Sequence, residues 1–211
     1  MPAVSDRTIG RLSLYRRLLK ETRSSGKTHV FSHDLAALAG CTPAQVRRDV
    51  MTIGHTGSPA KGYDIDELVD SIGAFLDPDD ALRVALVGVG NLGRALLSHF
   101  VGWGGQFSIV AAFDADSERT NRVIHGCRCY PMEDLLPVVS RQDVRVAIIA
   151  VPASEAQTIA NSLCNAGVRS LVNFAPVRLW VPDGVYVENV DVTMALERVA
   201  YFAREGVAER V

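Results

Sequence analysis

The chain has 211 residues, of which 48% are hydrophobic and 22% are charged, and its formal net charge is −2, as in an ordinary globular protein. No apolar run approaches the ~20 residues of a membrane-spanning helix, and the first residues lack a signal pattern, so we expect a cytoplasmic protein without a membrane partner. Residues 1–63 hold ten lysines and arginines against four acidic residues. This excess predicts a polyanionic partner for the N-terminal part.

Three short helices are predicted at the N-terminus, the first over 7–23. Ser32 is predicted to cap the second helix, which places Leu35, Leu38 and Ala39 inward and ends at Gly40. The third helix follows an N-cap at Thr42 and a first-turn proline.

The third helix carries a polar outer face. Val46, Val50 and Ile53 form its inner face, which leaves Gln45, Arg47, Arg48 and Thr52 outside. Two short helices joined by a glycine-containing turn have helix-turn-helix form, and Gln and Arg match adenine and guanine edges in the major groove. The following 54–63 segment, with Lys61, is predicted to form a small wing. The alternative is a three-helix core with a solvated basic face.

Strands and helices alternate after an amphipathic helix over 65–76 and a predicted domain boundary at Pro78. This rhythm predicts a doubly wound parallel sheet with helices on both faces. Its strands are the apolar runs at 83–88, 108–113, 144–151, 170–174 and 185–190. The four cysteines, which lack metal-ligand spacing, are predicted to be mostly buried free thiols, with both members of the 127/129 pair on one side of a strand.

The sequence RVALVGVGNLGRAL at 83–96 places three glycines between a strand and a helix. In such a fingerprint Gly88 permits a tight turn, Gly90 lets a pyrophosphate approach the backbone, and Gly93 permits close helix–strand packing. The backbone N–H groups of Asn91 to Gly93 would then meet the phosphates. A Rossmann sheet that has lost its ligand is the alternative.

Other strand ends complete the predicted dinucleotide site. Asp114 lies 21 residues beyond the last glycine and would accept the ribose hydroxyls. Asp116 favours NAD over NADP, although Arg119 is close enough to leave NADP open. Pro152 and Pro176 follow later strands, and Phe174 could cover the nicotinamide; such prolines are equally ordinary strand terminators.

No catalytic group and no metal site is predicted. The five histidines have no evident acid–base partner, and no Tyr-x-x-x-Lys pair is present, so a hydride-transfer enzyme lacks its general acid. The C-terminal segment returns to helical spacing with Met194, Leu196, Val199, Ala200 and Phe202. Such an apolar helix after a finished sheet needs a partner surface.

Taken together, these segments resemble the Rex family of bacterial redox-sensing transcriptional repressors. The resemblance covers nearly the whole chain and rests on the segments RLSLYRRLL, TPAQVRRD, LVGVGNLGRAL, AAFDAD, AVPASEAQ, NFAPVRLWVP and ENVDVTMAL. It implies a winged helix-turn-helix domain at 1–77, a Rossmann NAD(H)-binding domain at 78–190 and a C-terminal helix at 191–211 that is swapped between the subunits of a homodimer. Members bind operator DNA, an inverted repeat, when NADH is scarce, and NADH releases them.

The resemblance also implies roles for individual residues. The cofactors NADH and NAD+ would be held by Gly88, Val89, Gly90, Asn91, Leu92, Gly93 and Asp114, with Val151, Pro152, Ala153, Asn173, Phe174, Ala175 and Pro176 along the nicotinamide side. DNA would be contacted by Thr42, Gln45, Arg47, Arg48 and Lys61. Positions that couple the domains would be Arg17, His99 and Asp191.

The chain departs from the family at three places. It has RRDVMTIG where most members have RKDLSYFG, and GSPAKGY where most have GKRGVGY, so we expect a different or looser operator. His99 replaces a tyrosine, which predicts altered discrimination between NADH and NAD+ and a pH-sensitive response. The rival functions are a small NAD-dependent oxidoreductase, an adenine-nucleotide or coenzyme A sensor, and a purely structural dimer module.

Overall fold

The computed structural model describes residues 4–100 and 106–205, and the chain divides into two compact units, Met1–Asp77 and Pro78–Arg210. The last six residues of the predicted 191–211 segment lie outside the described residues.

The N-terminal unit is a helical domain with a two-stranded sheet. Its elements are α1 (Asp6–Ser24), β1 (His29–Val30), α2 (Ser32–Ala39), α3 (Pro43–Thr52), β2 (Tyr63–Asp64) and α4 (Ile65–Leu76), with β1 and β2 antiparallel. The four helices bury one apolar cluster, whose largest members include Leu12, Tyr15, Leu35, Val46 and Leu68. The unit therefore has a core of its own.

Two details of α2 differ from the sequence prediction. Ser32 is the first residue of the helix, not its cap; the cap position is Phe31, whose backbone N–H donates to Asp34 at 3.2 Å. Leu38 was predicted to face inward but is 53% exposed, while Ala36 is buried. Leu38 lies two residues beyond Ala36, about 200° around the helix, and so points away from the core.

The C-terminal unit contains a seven-stranded sheet of order β5-β6-β4-β3-β7-β8-β9. Its strands are β3 (Leu82–Val87), β4 (Phe107–Asp114), β5 (Arg122–Ile124), β6 (Cys127–Pro131), β7 (Val146–Ile149), β8 (Ser170–Asn173) and β9 (Tyr186–Asn189). The helices are α5 (Asn91–Phe100), α6 (Leu135–Arg141), α7 (Ala153–Asn165) and α8 (Val192–Glu205). The five predicted strands are all present. The sheet is not wholly parallel, because the short β5 pairs antiparallel with β6 at the edge.

Apolar side chains cover both faces of this sheet, as a doubly wound fold requires. Along β3, Ala85 and Val87 belong to the cluster that includes α6 and α7, while Val84 and Leu86 belong to the cluster that includes α5. Cys127 and Cys129 both lie in the second cluster, where burial raises the pKa of each thiol to about 11. Both thiols are therefore protonated at neutral pH, and both pack in the core.

The final helix α8 exposes its described side chains up to Arg204, except for the half-buried Phe202. Val192, Leu196 and Val199 are each more than 60% exposed on α8. In residues 4–100 and 106–205, no helix combines the length and the apolarity that crossing a membrane demands.

Candidate nucleotide site and nucleic-acid interface

The glycine loop, residues 88–90, joins β3 to α5. Each of the three fingerprint glycines, of which Gly93 lies in the first turn of α5, meets a different constraint. Gly88 has φ +95°, and a Cβ atom there would lie 2.3 Å from the Ala150 carbonyl oxygen. A Cβ on Gly93 would lie 2.0 Å from the Gly88 carbonyl oxygen, so only glycine lets the helix approach the loop. A Cβ on Gly90 would meet nothing within 4 Å. The open space over Gly90 adjoins the N-terminus of α5, where N–H groups lack intrahelical partners and attract anions.

Asp114 anchors this loop from the end of β4. Its carboxylate accepts hydrogen bonds from the Val89 N–H at 2.6 Å, the Asp116 N–H at 2.9 Å and the Arg119 guanidinium at 3.3 Å. Burial opposes ionisation, but the two backbone donors and then Arg119 outweigh it and lower the pKa of Asp114. Sequence reasoning assigned Asp114 to the ribose and missed its role in holding the loop.

The Arg119 side chain lies between two carboxylates. It pairs with Asp114 at 3.3 Å and with Asp116 at 3.2 Å. The positive charge of Arg119 is therefore already matched by two negative charges, one at the end of β4 and one in the segment that follows it.

The turn after β8 is built around Asn173. This side chain is 1% exposed and donates to the carbonyl of Val177 at 2.8 Å and to Asn189 Oδ1 at 2.9 Å, while its own oxygen accepts from Ala175 N–H at 3.0 Å. Asn173 thus fixes the shape of the turn, and Pro176 is the member of it that stays exposed.

The sheet register brings the predicted cofactor residues together at the carboxyl ends of neighbouring strands. Val87 of β3 pairs with Phe113 of β4 and with Ile149 of β7, and Ile149 pairs with Asn173 of β8. The glycine loop, Asp114, the 151–153 segment and the 173–176 turn therefore all follow the carboxyl ends of neighbouring parallel strands. This is also where the strand order reverses, between β3 and β7, and ligands bind there in open α/β sheets.

The predicted DNA-contacting residues lie on α3 and in the segment before β2. Thr42 caps α3 by accepting the Gln45 N–H at 3.2 Å, as predicted. Arg47, Arg48 and Lys61 are exposed, and Arg47 donates to Ser32 at 3.0 Å. A cavity of about 410 Å³ lies between α3 and the 56–59 segment, with Arg47 in its lining.

Gln45 does not lie free on the outer face of α3. Its Nε2 donates to Asp49 at 2.8 Å, and the residue is half-buried. Asp49 is 2% exposed and also accepts from Arg11 at 2.6 and 2.8 Å and from the Tyr15 hydroxyl at 3.1 Å. Burial alone would raise the pKa of Asp49, but these donors lower it. Sequence reasoning missed Asp49; its place one turn after Gln45, beside the inward-facing Val46 and Val50, was the available signal.

The three predicted coupling residues lie on α1, on α5 and directly before α8. Arg17 is exposed on α1, His99 is exposed near the end of α5 with its ring 5.1 Å from that of Phe100, and Asp191 accepts the Met194 N–H at 2.9 Å. Asp191 is therefore the N-terminal cap of α8.

Within residues 4–100 and 106–205, no group of three or more His, Cys, Asp or Glu side chains could hold a metal ion.

Comparisons with known proteins match both units. A family profile described as "Putative DNA-binding protein N-terminus" matches residues 3–50, and one described as "CoA binding domain" matches residues 79–177. The redox-sensing transcriptional repressor Rex of Syntrophobacter fumaroxidans is 41% identical over 202 residues, covering 94% of this chain and 95% of that protein. Rex 1 of Enterococcus faecalis is 37% identical over 195 residues, covering 92% and 90%. The chain belongs to the Rex family.

A solved structure agrees with this assignment across the whole Rex fold. RSP in complex with beta-NAD+ and operator DNA matches with a TM-score of 0.89 and 29% identity, over 98% of this chain and 95% of that one. RSP in complex with beta-NADH matches with a TM-score of 0.87. The predicted combination of a winged helix-turn-helix domain with a Rossmann sheet is confirmed.

Proposed function

We propose that this Rex-family chain is a transcriptional repressor that senses the NADH/NAD+ ratio, binding operator DNA when NADH is low and leaving it when NADH binds. The observation that carries the proposal is the likeness, over 98% of this chain, to RSP. The structure of RSP was solved in complex with beta-NAD+ and operator DNA and, separately, in complex with beta-NADH. The cytoplasm, where NADH and operator DNA meet, is its expected location.

The site at the carboxyl ends of the strands fits a dinucleotide. The open space over Gly90 admits a pyrophosphate, and the first N–H groups of α5 would bind it. Asp114 holds the loop in this shape and has few acceptor positions left for the ribose, because three donors already use it. The 151–153 segment and the Asn173–Pro176 turn would lie along the nicotinamide.

The charges around Arg119 favour NAD(H) over NADP(H). An arginine that selects a 2′-phosphate needs a positive charge that no carboxylate neutralises, whereas Arg119 is paired with Asp114 and Asp116. A 2′-phosphate would face two carboxylates for one guanidinium, and the net repulsion disfavours it.

We infer that the chain is a homodimer whose α8 helices bind the partner subunit. Val192, Leu196 and Val199 expose a continuous apolar stripe. A homodimer would present two α3 helices to successive major grooves of an inverted repeat. Arg17, His99 and Asp191 are the proposed positions through which cofactor and DNA binding are coupled.

The same site would not catalyse hydride transfer. The bound nicotinamide would supply a hydride in an oxidoreductase, but the relatives that this chain matches over more than nine-tenths of its length are named transcriptional repressors. Ligand and DNA would instead compete through one conformational equilibrium, so operator DNA must weaken NADH binding by the factor by which NADH weakens DNA binding.

A second candidate is a sensor of coenzyme A or another adenine nucleotide. It is favoured by the profile described as "CoA binding domain" that matches residues 79–177. This function would use the same glycine loop but would be indifferent to the redox state of nicotinamide.

Fluorescence anisotropy with a duplex selected from a random library, at fixed salt, separates these functions. We expect NADH to release the duplex at lower concentration than NAD+, and coenzyme A to have no effect. Gly90→Val should retain DNA binding and lose the response, since its side chain enters open space. Release by coenzyme A, or a duplex indifferent to all three ligands, would contradict the proposal.

A further inference from the structure

The α3 helix carries two candidate base-reading side chains that contact each other. Arg48 is exposed, and its Nη1 donates to the Oε1 of Gln45 at 3.4 Å. Gln45 in turn donates its Nε2 to Asp49 at 2.8 Å. These contacts form a chain that runs from a buried carboxylate to the outer face of the recognition helix.

The orientation of the Gln45 amide is fixed by the charge of Asp49. An ionised carboxylate only accepts hydrogen bonds, and the three donors from Arg11 and Tyr15 keep Asp49 ionised at neutral pH. The side of the Gln45 amide that meets Asp49 must therefore be the nitrogen, and the oxygen is the atom that Arg48 meets.

This orientation removes Gln45 from direct adenine recognition. A glutamine reads adenine by turning both its nitrogen and its oxygen to the N6 and N7 edge of the base. Here the nitrogen is directed at an atom of a residue that is 2% exposed, so the edge that carries both groups is not turned outward. Arg48 keeps its remaining donors, which match guanine O6 and N7.

We propose that Asp49 is a positioning residue for base preference: it holds the nitrogen of Gln45, Gln45 orients Arg48 through its oxygen, and Arg48 is the side chain that reads a guanine. This inference rests on the proposed repressor function and adds which base the recognition helix selects. The role of Asp49 goes beyond packing, because it determines which atom of Gln45 is turned outward.

The test measures base preference and not affinity alone. Full-length chain is titrated against the selected duplex and against versions in which each base pair of one half-site is replaced in turn, at fixed salt. If the wild-type chain selects no duplex, the repressor function fails before this inference is reached. For Arg48→Ala we expect loss of preference at one guanine, roughly 5- to 150-fold.

Gln45→Met distinguishes an orienting role from a reading role, because Met keeps the length of the side chain without its polar atoms. We expect it to weaken the preference at the same guanine as Arg48→Ala and to change no adenine preference. Loss of an adenine preference at another position would overturn the proposal, and so would an equal fall in affinity for every duplex.

Asp49→Asn tests the carboxylate itself. Because an amide at position 49 both donates and accepts, the Gln45 amide is then free to turn, and we expect the guanine preference to fall with adenine becoming tolerated. An Asp49→Asn variant that folds, by circular dichroism, and keeps the wild-type preference would also overturn the proposal. If this variant does not fold, the Gln45→Met and Arg48→Ala pair decides. Arg141→Ala, an exposed arginine in the other unit, is the charge-matched control and should change nothing.

Discussion

The carboxylate of Asp114 accepts the backbone N–H of Val89 at 2.6 Å and thereby ties the end of β4 to the glycine loop. Asp114→Ala removes this acceptor and leaves the buried N–H of Val89 without it, so we expect the free energy of unfolding to fall by about 1–3 kcal/mol. Because the loop loses its shape, the Kd for NADH should also rise. Calorimetry and an NADH titration at pH 7 measure the two effects.

The same contact predicts an acid dependence. The pKa of Asp114 is lowered in the folded chain, so its stabilisation is complete above the ordinary aspartate pKa of about 3.9 and is lost as the pH falls through the folded pKa. Wild type should therefore lose stability more steeply than Asp114→Asn below about pH 4. Parallel acid-unfolding curves would contradict this assignment.

Arg11 pairs with the buried Asp49 in the N-terminal unit. Asp49 is 2% exposed and Arg11 is 26% exposed, so Arg11→Ala leaves a buried carboxylate without its main partner. We expect a loss of about 3–5 kcal/mol in the free energy of unfolding. Arg145→Ala is the matched control, because its pair with Asp143 is exposed and should contribute about 0–1 kcal/mol. Urea unfolding of both variants decides, and equal losses would contradict the prediction.

The sequence predicted the parts of the site that depend on backbone geometry. Gly88, Gly90 and Gly93 have fixed spacing after a strand, so the tight turn at Gly88 and the close packing at Gly93 follow from local rules and agree with the structure, while the pyrophosphate contact at Gly90 stays a prediction. The contacts of Gln45 and of Asp114 were not predictable in this way. Asp49 lies only four residues from Gln45, but it is held by Arg11, 38 residues away, and Asp114 accepts from Val89, 25 residues away. Side-chain pairing across a folded core leaves no periodic signal in the sequence.

The sequence prediction also missed the edge strand β5 and the exposure of Leu38. The edge strand β5 has three residues, which is too short for an alternating pattern, and Leu38 looks like a core residue by its type alone. The exposure of α8, by contrast, agrees with the expectation that its apolar residues need a partner surface.

Two glycines of the fingerprint should differ in how the same substitution affects stability. Gly90→Ala adds a Cβ into open space and should leave the free energy of unfolding nearly unchanged while weakening NADH binding by roughly tenfold or more. Gly93→Ala places a Cβ 2.0 Å from the Gly88 carbonyl oxygen, so the chain should lose stability as well. Thermal unfolding and NADH titration separate the two. A Gly90→Ala variant with a clearly lower free energy of unfolding than the wild type would contradict the open space over Gly90.

Asp116 is expected to exclude NADP(H). Asp116→Ala leaves Arg119 paired only with Asp114 in this loop and removes a charge that would repel a 2′-phosphate. NADPH should then release operator DNA at lower concentration than it does from the wild type, with little change for NADH. Glu118→Ala makes the same change of charge in the same loop without touching the Arg119 pair, and it should leave the NADPH response as in the wild type. An equal gain in both variants would show a general charge effect.

The apolar stripe of α8 is expected to hold the dimer. Leu196 is 63% exposed, and burying such a side chain contributes about 1.5–3 kcal/mol, so Leu196→Asp removes that contribution and places a charge in the interface. We expect the variant to shift from dimer to monomer in sedimentation velocity and to bind the selected duplex more weakly, since one α3 helix reaches only one half-site. Arg198→Asp introduces the same side chain about 200° around the helix and should remain dimeric. A Leu196→Asp variant that stays dimeric and binds operator DNA as the wild type does would place the dimer contact elsewhere on the chain.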